Sequence, residues 1–235
     1  MLRSEGLTKV FGAKTAVDHV TLNLEAGHIY AMLGPNGSGK TTWMKMAAGL
    51  CKPTEGTVLF QGAPISYRSR SSIAYMSTEP YFYSWMTLRD VGRYYQDFFS
   101  DYSAQRYAEL LKSFELEESM KAKDLSSGIM AKAKIAVTLA RDASVWMLDE
   151  PFNGIDLLAR DRIREAVIEA ARPDKLLLLS SHLVEEMEAI ADRAVFLKSG
   201  QLVLETDIET DRDENNRSIA DEYRRIYSAQ GGAEA

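Results

Sequence analysis

The stretch Gly34-Pro-Asn-Gly-Ser-Gly-Lys40-Thr41-Thr42 decides how this chain of 235 residues folds. It fits G-x-x-x-x-G-K-[ST], the pattern of the phosphate-binding P-loop. Residues 29–33 before it predict a short buried strand, and residues 42–49 after it predict a helix. Because the motif requires a strand before it and a helix after it, the sequence predicts a binding site for the phosphates of a nucleotide.

Each part of this loop has a physical role. Glycines at 34, 37 and 39 permit backbone conformations closed to other residues and let bare amides approach a phosphate. The helix that follows directs unpaired N–H groups and the positive end of its dipole at the same anion. Lys40 is expected to reach the β- and γ-phosphates, and the Thr41 hydroxyl to hold Mg²⁺. The predicted nucleotide-binding residues of the loop are Gly34, Asn36, Gly37, Ser38, Gly39, Lys40, Thr41 and Thr42.

Composition narrows the class of protein. The net charge of −6 argues against a nucleic-acid partner, which would need a basic face. The single cysteine, Cys51, excludes an internal disulfide and fits a reducing compartment. No apolar run approaches the roughly 20 residues that cross a bilayer, and the first residues lack the apolar core of a signal peptide. We therefore expect a soluble cytosolic chain whose role at a membrane, if it has one, comes through a partner.

The alternation of strand and helix patterns predicts an α/β fold with a P-loop NTPase core and a mainly parallel sheet. An N-terminal antiparallel β portion and an inserted α-helical subdomain complete the prediction. We expect one domain over 1–210, with a core lobe at 1–77 and 141–210 and a helical lobe at about 78–140. A tail at 211–235 is predicted as a polar linker to residue 217, a short helix over 218–227, and a frayed end. The other predicted elements are strands 16–24, 57–60, 72–76, 145–148, 175–180, 194–198 and 201–205, and helices 157–171 and 184–191.

A second stretch supplies what a P-loop ATPase needs besides the loop, an anchor for the metal and a group to orient the attacking water. Residues 145–148 form an apolar run that ends in Asp149 and Glu150. The strand places Asp149 beside the metal held by Thr41, and Glu150 polarises the water. An Asp-Glu pair alone is a weak signal, since such pairs are common on surfaces. Behind a buried strand, and together with a P-loop, it specifically predicts an ATPase.

In order and content, these motifs resemble the nucleotide-binding subunits of ATP-binding cassette (ABC) transporters over about residues 2–206. The family signature Leu-Ser-Gly-Gly-Gln has its counterpart in Leu125-Ser126-Ser127-Gly128-Ile129, before a predicted helix that ends near residue 140. A helix N-terminus with small residues offers amides, a hydroxyl and a dipole to an anion. The resemblance implies that this anion is the γ-phosphate of ATP on the opposite subunit, bound by Ser126, Ser127 and Gly128.

Three further positions take their roles from the same resemblance. Asn153-Gly-Ile-Asp156 is similar to the loop that crosses the dimer interface, which adds Asp156 to the catalytic candidates Lys40 and Glu150. His182 follows a buried strand where the family carries its switch histidine, which contacts the γ-phosphate. Phe11 lies where the family stacks an aromatic ring on adenine. Read without the resemblance, His182 would be a structural histidine and Phe11 a hydrophobic residue beside a turn.

The chain also departs from the family pattern. Thr78 occupies the slot of the glutamine that usually begins the link to the helical lobe and touches the metal. Its hydroxyl can still bind Mg²⁺ or a metal-bound water, although the threonine side chain is shorter than that of glutamine. The predicted metal ligands are Thr41, Asp149 and Thr78. In the signature, Ser127 and Ile129 replace glycine and glutamine. Similar variants occur among stand-alone ATPase subunits of bacterial exporters of the ABC-2 type.

The resemblance implies a function in which two copies, or this chain and a homologue, close head to tail around two ATP molecules with Mg²⁺. A separate transmembrane permease subunit, gripped near residues 78–85, would be driven from the cytoplasmic side of the cell membrane. Tyr81, Phe82, Tyr83 and Trp85 could form that grip or simply belong to a helical core. We expect an exporter of drugs, peptides or polymers. Two alternatives stay open, a soluble ABC ATPase that acts in assembly and a non-enzymatic nucleotide switch, although the intact acidic pair and histidine count against the switch.

Overall fold

The computed structural model describes residues 1–215 and 217–228 and folds them around two β-sheets. In chain order the strands are β1 (Leu2–Phe11), β2 (Lys14–Leu24), β3 (His28–Leu33), β4 (Glu55–Phe60), β5 (Ala63–Pro64), β6 (Ile73–Met76), β7 (Val145–Asp149), β8 (Leu176–Ser181), β9 (Arg193–Lys198) and β10 (Gln201–Asp207). The helices are α1 (Lys40–Ala47), α2 (Tyr67–Arg70), α3 (Leu88–Phe98), α4 (Ala104–Ser113), α5 (Ser127–Leu139), α6 (Leu157–Ala170), α7 (Val184–Glu188), α8 (Ile208–Asn215) and α9 (Ile219–Tyr227), with a 3₁₀ turn at Ala122–Asp124.

The smaller sheet is antiparallel, with strand order β2-β1-β4-β5. Leu2 in β1 pairs with Leu24 on one side and with Phe60 on the other. Alternation along β2 buries Val20, Leu22 and Leu24, as expected for a strand with one face in the core. This sheet confirms the predicted N-terminal antiparallel portion, and it includes β1, which the sequence pattern did not single out.

The larger sheet has the order β10-β9-β3-β8-β7-β6, and only β10 runs antiparallel to its neighbour. Strands β7 and β8 are buried at every position, which explains why they read as unbroken apolar runs. The carboxyl ends of β3, β7 and β8 meet at one edge of the sheet, where open α/β sheets bind ligands. The fold thus places Gly34, Glu150 and His182 at the same edge.

The helical insert lies between β6 and β7 and contains α3, α4 and α5. Residues 78–87, which the sequence predicts as part of a helical stretch, instead form bends and a turn. Pro80 lacks the N–H that a helix needs, and Thr87 caps α3 in a capping box with Asp90. The first helix of the insert therefore begins at Leu88, and the link from the sheet to the insert is an irregular segment.

The C-terminal region departs from the predicted linker. Residues 211–215 belong to α8, which begins at Ile208, a buried residue. The Asp207 carboxylate accepts from the Thr210 amide at 3.0 Å and caps the helix start, so the helix is established before the polar run begins. The predicted helix over 218–227 is confirmed as α9, and the expectation for residues 229–235 lies outside the described residues.

The described helices include none that is both long and apolar enough to cross a membrane.

Candidate functional site

The loop between β3 and α1 takes a shape that side chains would obstruct. Gly34 has φ 154°, and a Cβ there would lie 2.4 Å from the Leu197 carbonyl oxygen. Gly39 has φ 107°, and a Cβ there would lie 2.6 Å from the Ala16 carbonyl oxygen. Both positions require glycine, since backbone neighbours cannot give way. The chain can therefore wrap its amides around the N-terminus of α1.

A cavity of about 350 Å³ opens over this loop. Of the residues predicted from sequence, those that line it are Asn36, Gly37, Ser38, Gly39, Lys40, Thr41, Thr42, Thr78, Glu150 and His182. Its wall also includes Asn153 from the predicted interface loop, and Lys14 and Ala16 from β2. Nothing in the sequence marks Lys14, because it reaches the cavity from a strand of the other sheet.

Lys40 connects the loop to the acidic strand end. Its Nζ donates to the carbonyl oxygens of Gly34 at 2.7 Å and Pro35 at 3.3 Å. The same Nζ lies 3.4 Å from Oε1 of Glu150, and both side chains are almost fully buried, at 6% and 10% exposure. Buried charges need such partners because burial without them is costly. The ammonium is thus poised at the cavity wall between carbonyls and a carboxylate.

Asp149 and Glu150 follow each other in sequence but occupy different environments. Asp149 is fully buried, and its carboxylate accepts from the hydroxyls of Ser180 at 2.5 Å and Tyr75 at 3.2 Å. Glu150 has φ 50°, a left-handed conformation that is uncommon for a residue with a side chain. Its amide donates to the Ser180 hydroxyl at 3.0 Å. A single serine on β8 thus bridges the two acidic residues.

Tyr75 was missed by the sequence analysis. Burial raises the pKa of its hydroxyl far above the ordinary value, and the neighbouring Asp149 charge raises it further. The phenol therefore stays protonated and serves as a donor to the Asp149 carboxylate. It comes from β6, which pairs with β7, and one tyrosine in a short apolar strand gives no sequence signal of such a contact.

His182 lies beside Glu150. Its Nδ1 is 2.8 Å from Oε2 of Glu150, and its backbone amide donates to the same oxygen at 3.4 Å. Since Oε1 of that carboxylate faces Lys40, Glu150 is held between a lysine and a histidine. Of the four predicted catalytic residues, Lys40 and His182 therefore both contact Glu150, whereas Asp156 does not line the cavity.

The residues of the cavity fit a nucleotide phosphate. The Ser38 hydroxyl is buried within the loop and has no hydrogen-bond partner, which leaves a donor for a phosphate oxygen. Amides, an ammonium and hydroxyls form a donor set for an anion. Among the described residues, no cluster of three or more His, Cys, Asp or Glu could hold a metal. A cation here would need phosphate and water oxygens in addition to Thr41 and Asp149, as Mg²⁺ commonly does.

The predicted signature residues lie outside this cavity. Ser126 caps α5, accepting from the Ile129 amide at 3.3 Å. A Cβ on Gly128 would lie 2.6 Å from the Gly154 carbonyl oxygen, so the signature packs against residues 153–156 of its own chain. Within that segment Asp156 caps α6 by accepting from the Ala159 amide at 2.9 Å, and this bond holds the pKa of its carboxyl below the ordinary value.

Phe11 also lies away from the cavity lining. Its ring is 54% exposed, and the Lys9 ammonium lies 4.9 Å from the ring centre. An exposed aromatic face at the end of β1 leaves room for a stacked base, and its role toward adenine stays a prediction.

The comparison with known families is decisive. The ABC transporter family profile matches residues 17–153, which include the P-loop, the signature and the acidic strand end. The chain belongs to the ABC transporter family. Its resemblance to that family is confirmed, and so is the predicted α/β cassette fold. The family match and the ATP-binding relatives identify the chain as an ABC ATPase.

Individual ABC proteins are similar over most of the chain. A lantibiotic transport ATP-binding protein, SrtF, of Streptococcus pyogenes is 32% identical over 96% of this chain and 100% of its own length. An uncharacterized ABC transporter ATP-binding protein, YcbN, of Bacillus subtilis (strain 168) is 32% identical over 93% of this chain and 73% of its own length. A solved ATP-binding subunit of an ABC transporter superposes with a TM-score of 0.85 at 25% identity, covering 96% and 99% of the two chains.

Proposed function

We propose that this ABC ATPase is the energy-supplying subunit of an exporter, which binds ATP with Mg²⁺ and drives a separate transmembrane subunit. The contact of Lys40, Glu150 and His182 in one cavity carries the catalytic part of this proposal. It joins a phosphate-binding cation, a carboxylate and an imidazole at the sheet edge. The division of the chain into a core lobe and a helical lobe, with boundaries near residues 77 and 141, is part of the same proposal.

Each side chain has a role in hydrolysis. Lys40 exchanges its carbonyl partners for β- and γ-phosphate oxygens, which make stronger charge-assisted bonds. The Glu150 carboxylate accepts the proton of the attacking water and holds that water in line. His182 fixes the orientation of this carboxylate through Nδ1 and faces the γ-phosphate. Thr41 and Asp149 would hold Mg²⁺, and Thr78 would contribute through its hydroxyl or a water. The metal, when bound, neutralises phosphate charge during transfer.

A second copy completes each site in this proposal. Ser126, Ser127, Gly128 and Asp156 do not line the cavity of their own chain, so a head-to-tail partner is needed to bring a signature to it. Leu157 and Leu158, next to Asp156, are 69% and 77% exposed. Exposed apolar side chains often mark a protein–protein interface, which supports the proposed dimer.

The transmembrane partner would dock near the link that begins at Thr78. Of the four aromatic residues predicted to grip it, Tyr81 and Phe82 turn inward, where Phe82 packs against the core and the Tyr81 hydroxyl is buried. Tyr83 and Trp85 are 59% and 66% exposed and stack on each other at 6.0 Å. Tyr83 and Trp85 are therefore the residues proposed to contact the transmembrane subunit. Docking there would hold the chain on the cytoplasmic face of the membrane.

Export is favoured because the lantibiotic transport relative matches this chain over 100% of its own length. On this basis the cargo would be a peptide, a drug or a polymer. The alternative, an assembly ATPase without a membrane partner, shares every residue of the site. Only the identity of the partner protein distinguishes these two functions.

The test uses the Glu150→Gln variant, which keeps the shape of the side chain and removes the base. We expect it to bind ATP, to elute as a dimer with ATP and Mg²⁺, and to lose hydrolysis by about 100-fold or more. Unchanged phosphate release would remove Glu150 from its role. Pulled down from detergent-solubilised membranes of its host, the variant should recover a multi-spanning protein. Recovery of soluble partners alone would favour the assembly ATPase.

A further inference from the structure

Lys134 is a buried lysine to which the mechanism above gives no role. It lies on α5 at 4% exposure, eight residues after Ser126. Lysine is almost never fully buried unless its ammonium is paired. Here burial lowers the pKa of the ammonium, and the charges of Asp149 and Glu79 oppose that shift. The hydrogen-bond partners of this buried ammonium therefore indicate its role.

The Lys134 ammonium holds the segment that follows β6. Its Nζ donates to the carbonyl oxygens of Thr78 at 3.0 Å and Glu79 at 3.3 Å, and it lies 5.4 Å from the centre of the Tyr81 ring. These are successive carbonyls of an irregular segment that belongs to no helix or strand. The contact therefore replaces the regular secondary structure that would otherwise fix Thr78.

Glu79 is also tied to the P-loop helix. Lys45 on α1 lies 2.9 Å from Oε1 of Glu79. That pair is exposed on the glutamate side, at 71%, so it is the weaker of the two attachments. Residues 78–79 thus join α1, which begins at the phosphate loop, to α5, which begins at the signature.

We propose that Lys134 is a positioning residue that fastens Thr78 to α5 and so couples the signature helix to the metal side of the same chain's ATP site. The proposal rests on the function proposed above. Ser126 and Lys134 are about 12 Å apart along one helix, so a displacement of the signature moves the ammonium as part of a rigid rod. Because a threonine hydroxyl has a short reach, Thr78 can meet the metal or its water only from a fixed backbone.

Lys132 provides the matched control. It lies on the same helix, is half-buried, and donates through Nζ to the Phe114 carbonyl oxygen at 3.1 Å, a contact within the helical insert. Lys132→Met removes an equivalent lysine–carbonyl bond without touching residues 78–79. A purely structural role for lysines on α5 would make the two methionine variants alike.

The experiment measures steady-state ATP hydrolysis of the full chain against Mg²⁺ concentration, with ATP binding measured separately without Mg²⁺. For Lys134→Met we expect kcat to fall about 10-fold and half-activation by Mg²⁺ to need severalfold more metal, since small misplacements at a reacting centre are costly. The ATP Kd without metal should stay within about twofold of the original, because Lys134 does not line the cavity. Lys134→Arg should restore most of the activity, and Lys132→Met should keep the original Mg²⁺ dependence.

Hydrogen exchange of residues 77–83 provides a second measurement, with faster exchange expected in Lys134→Met and not in Lys132→Met. If Lys134→Met does not fold, Lys134→Gln, whose uncharged amide ends one atom short of the ammonium, replaces it with the same expectations. An unchanged Mg²⁺ dependence, or an equal change in Lys132→Met, would overturn the proposal. If the unmodified protein hydrolyses no ATP, the proposed function itself is refuted. That outcome is distinguishable from a failure of the Lys134 proposal, in which the unmodified protein is active.

Discussion

Ser180 joins the Asp149 side chain to the Glu150 backbone amide, and Ser180→Ala tests that arrangement. The hydroxyl is fully buried, donates to Asp149 at 2.5 Å and accepts from the Glu150 amide at 3.0 Å. A hydrogen bond to a charged group contributes about 1.5–3 kcal/mol. The amide left without an acceptor costs about 1 kcal/mol more, at the low end because its bond to Ser180 is only partly buried.

The total predicted loss is therefore about 3 kcal/mol, because Tyr75 still donates to the other Asp149 oxygen. For a chain of this length that loss corresponds to a Tm lower by about 6–12 °C. Urea unfolding followed by far-UV circular dichroism, without added nucleotide or metal, measures it as a lower midpoint at an unchanged slope.

Ser181→Ala is the matched control on the next residue of β8. That hydroxyl is also buried, but it accepts only from the Leu183 amide at 2.9 Å, so its removal should cost about 1 kcal/mol. Equal losses in the two variants would refute the claim that Ser180 organises the acidic pair. A Ser180→Ala variant as stable as the original chain would refute it more directly.

Two other predictions follow from single contacts. Lys40→Ala should lower ATP affinity by about 100-fold or more, measured by equilibrium binding of a fluorescent ATP analogue, because a charge-assisted contact to the phosphates is removed; unchanged binding would contradict the phosphate role. Arg141→Met should destabilise the chain by about 3–5 kcal/mol, because its buried guanidinium pairs both oxygens of Asp101 at 3.0 Å and also holds the Ile73 carbonyl. Its control, Arg106→Met, loses a partly exposed pair with Glu169 and should cost about 1 kcal/mol or less in the same urea experiment; equal costs would refute the burial argument.

The sequence predicts most elements of the fold because their patterns are local. The phosphate loop requires a strand before it and a helix after it, and apolar runs such as 145–148, which have the length of a strand, favour buried strands. The predicted strands and the core-lobe helices agree with the observed bounds to within three residues at each end. The prediction was wrong at residues 211–215, because a polar composition hides a helix whose start is fixed by a buried isoleucine and an aspartate cap upstream.

The site is only partly accessible to the same reasoning. Motif residues such as Lys40 and Glu150 can be placed together, since parallel strands end at a common edge. Tyr75 and Lys134 could not be found, because each meets the site from a segment distant in sequence and neither belongs to a motif. Their contacts depend on strand order and helix rotation, which single-sequence patterns do not specify.

The arrangement of Glu150 also bears on when the site can act. One of its oxygens faces Lys40 and the other faces His182, so the carboxylate is bound on both sides. Under the proposed function, phosphate oxygens would compete with Glu150 for the Lys40 ammonium. ATP binding would then free Oε1 of Glu150 to face water, so the proposed function ties the availability of this carboxylate oxygen to the arrival of the nucleotide.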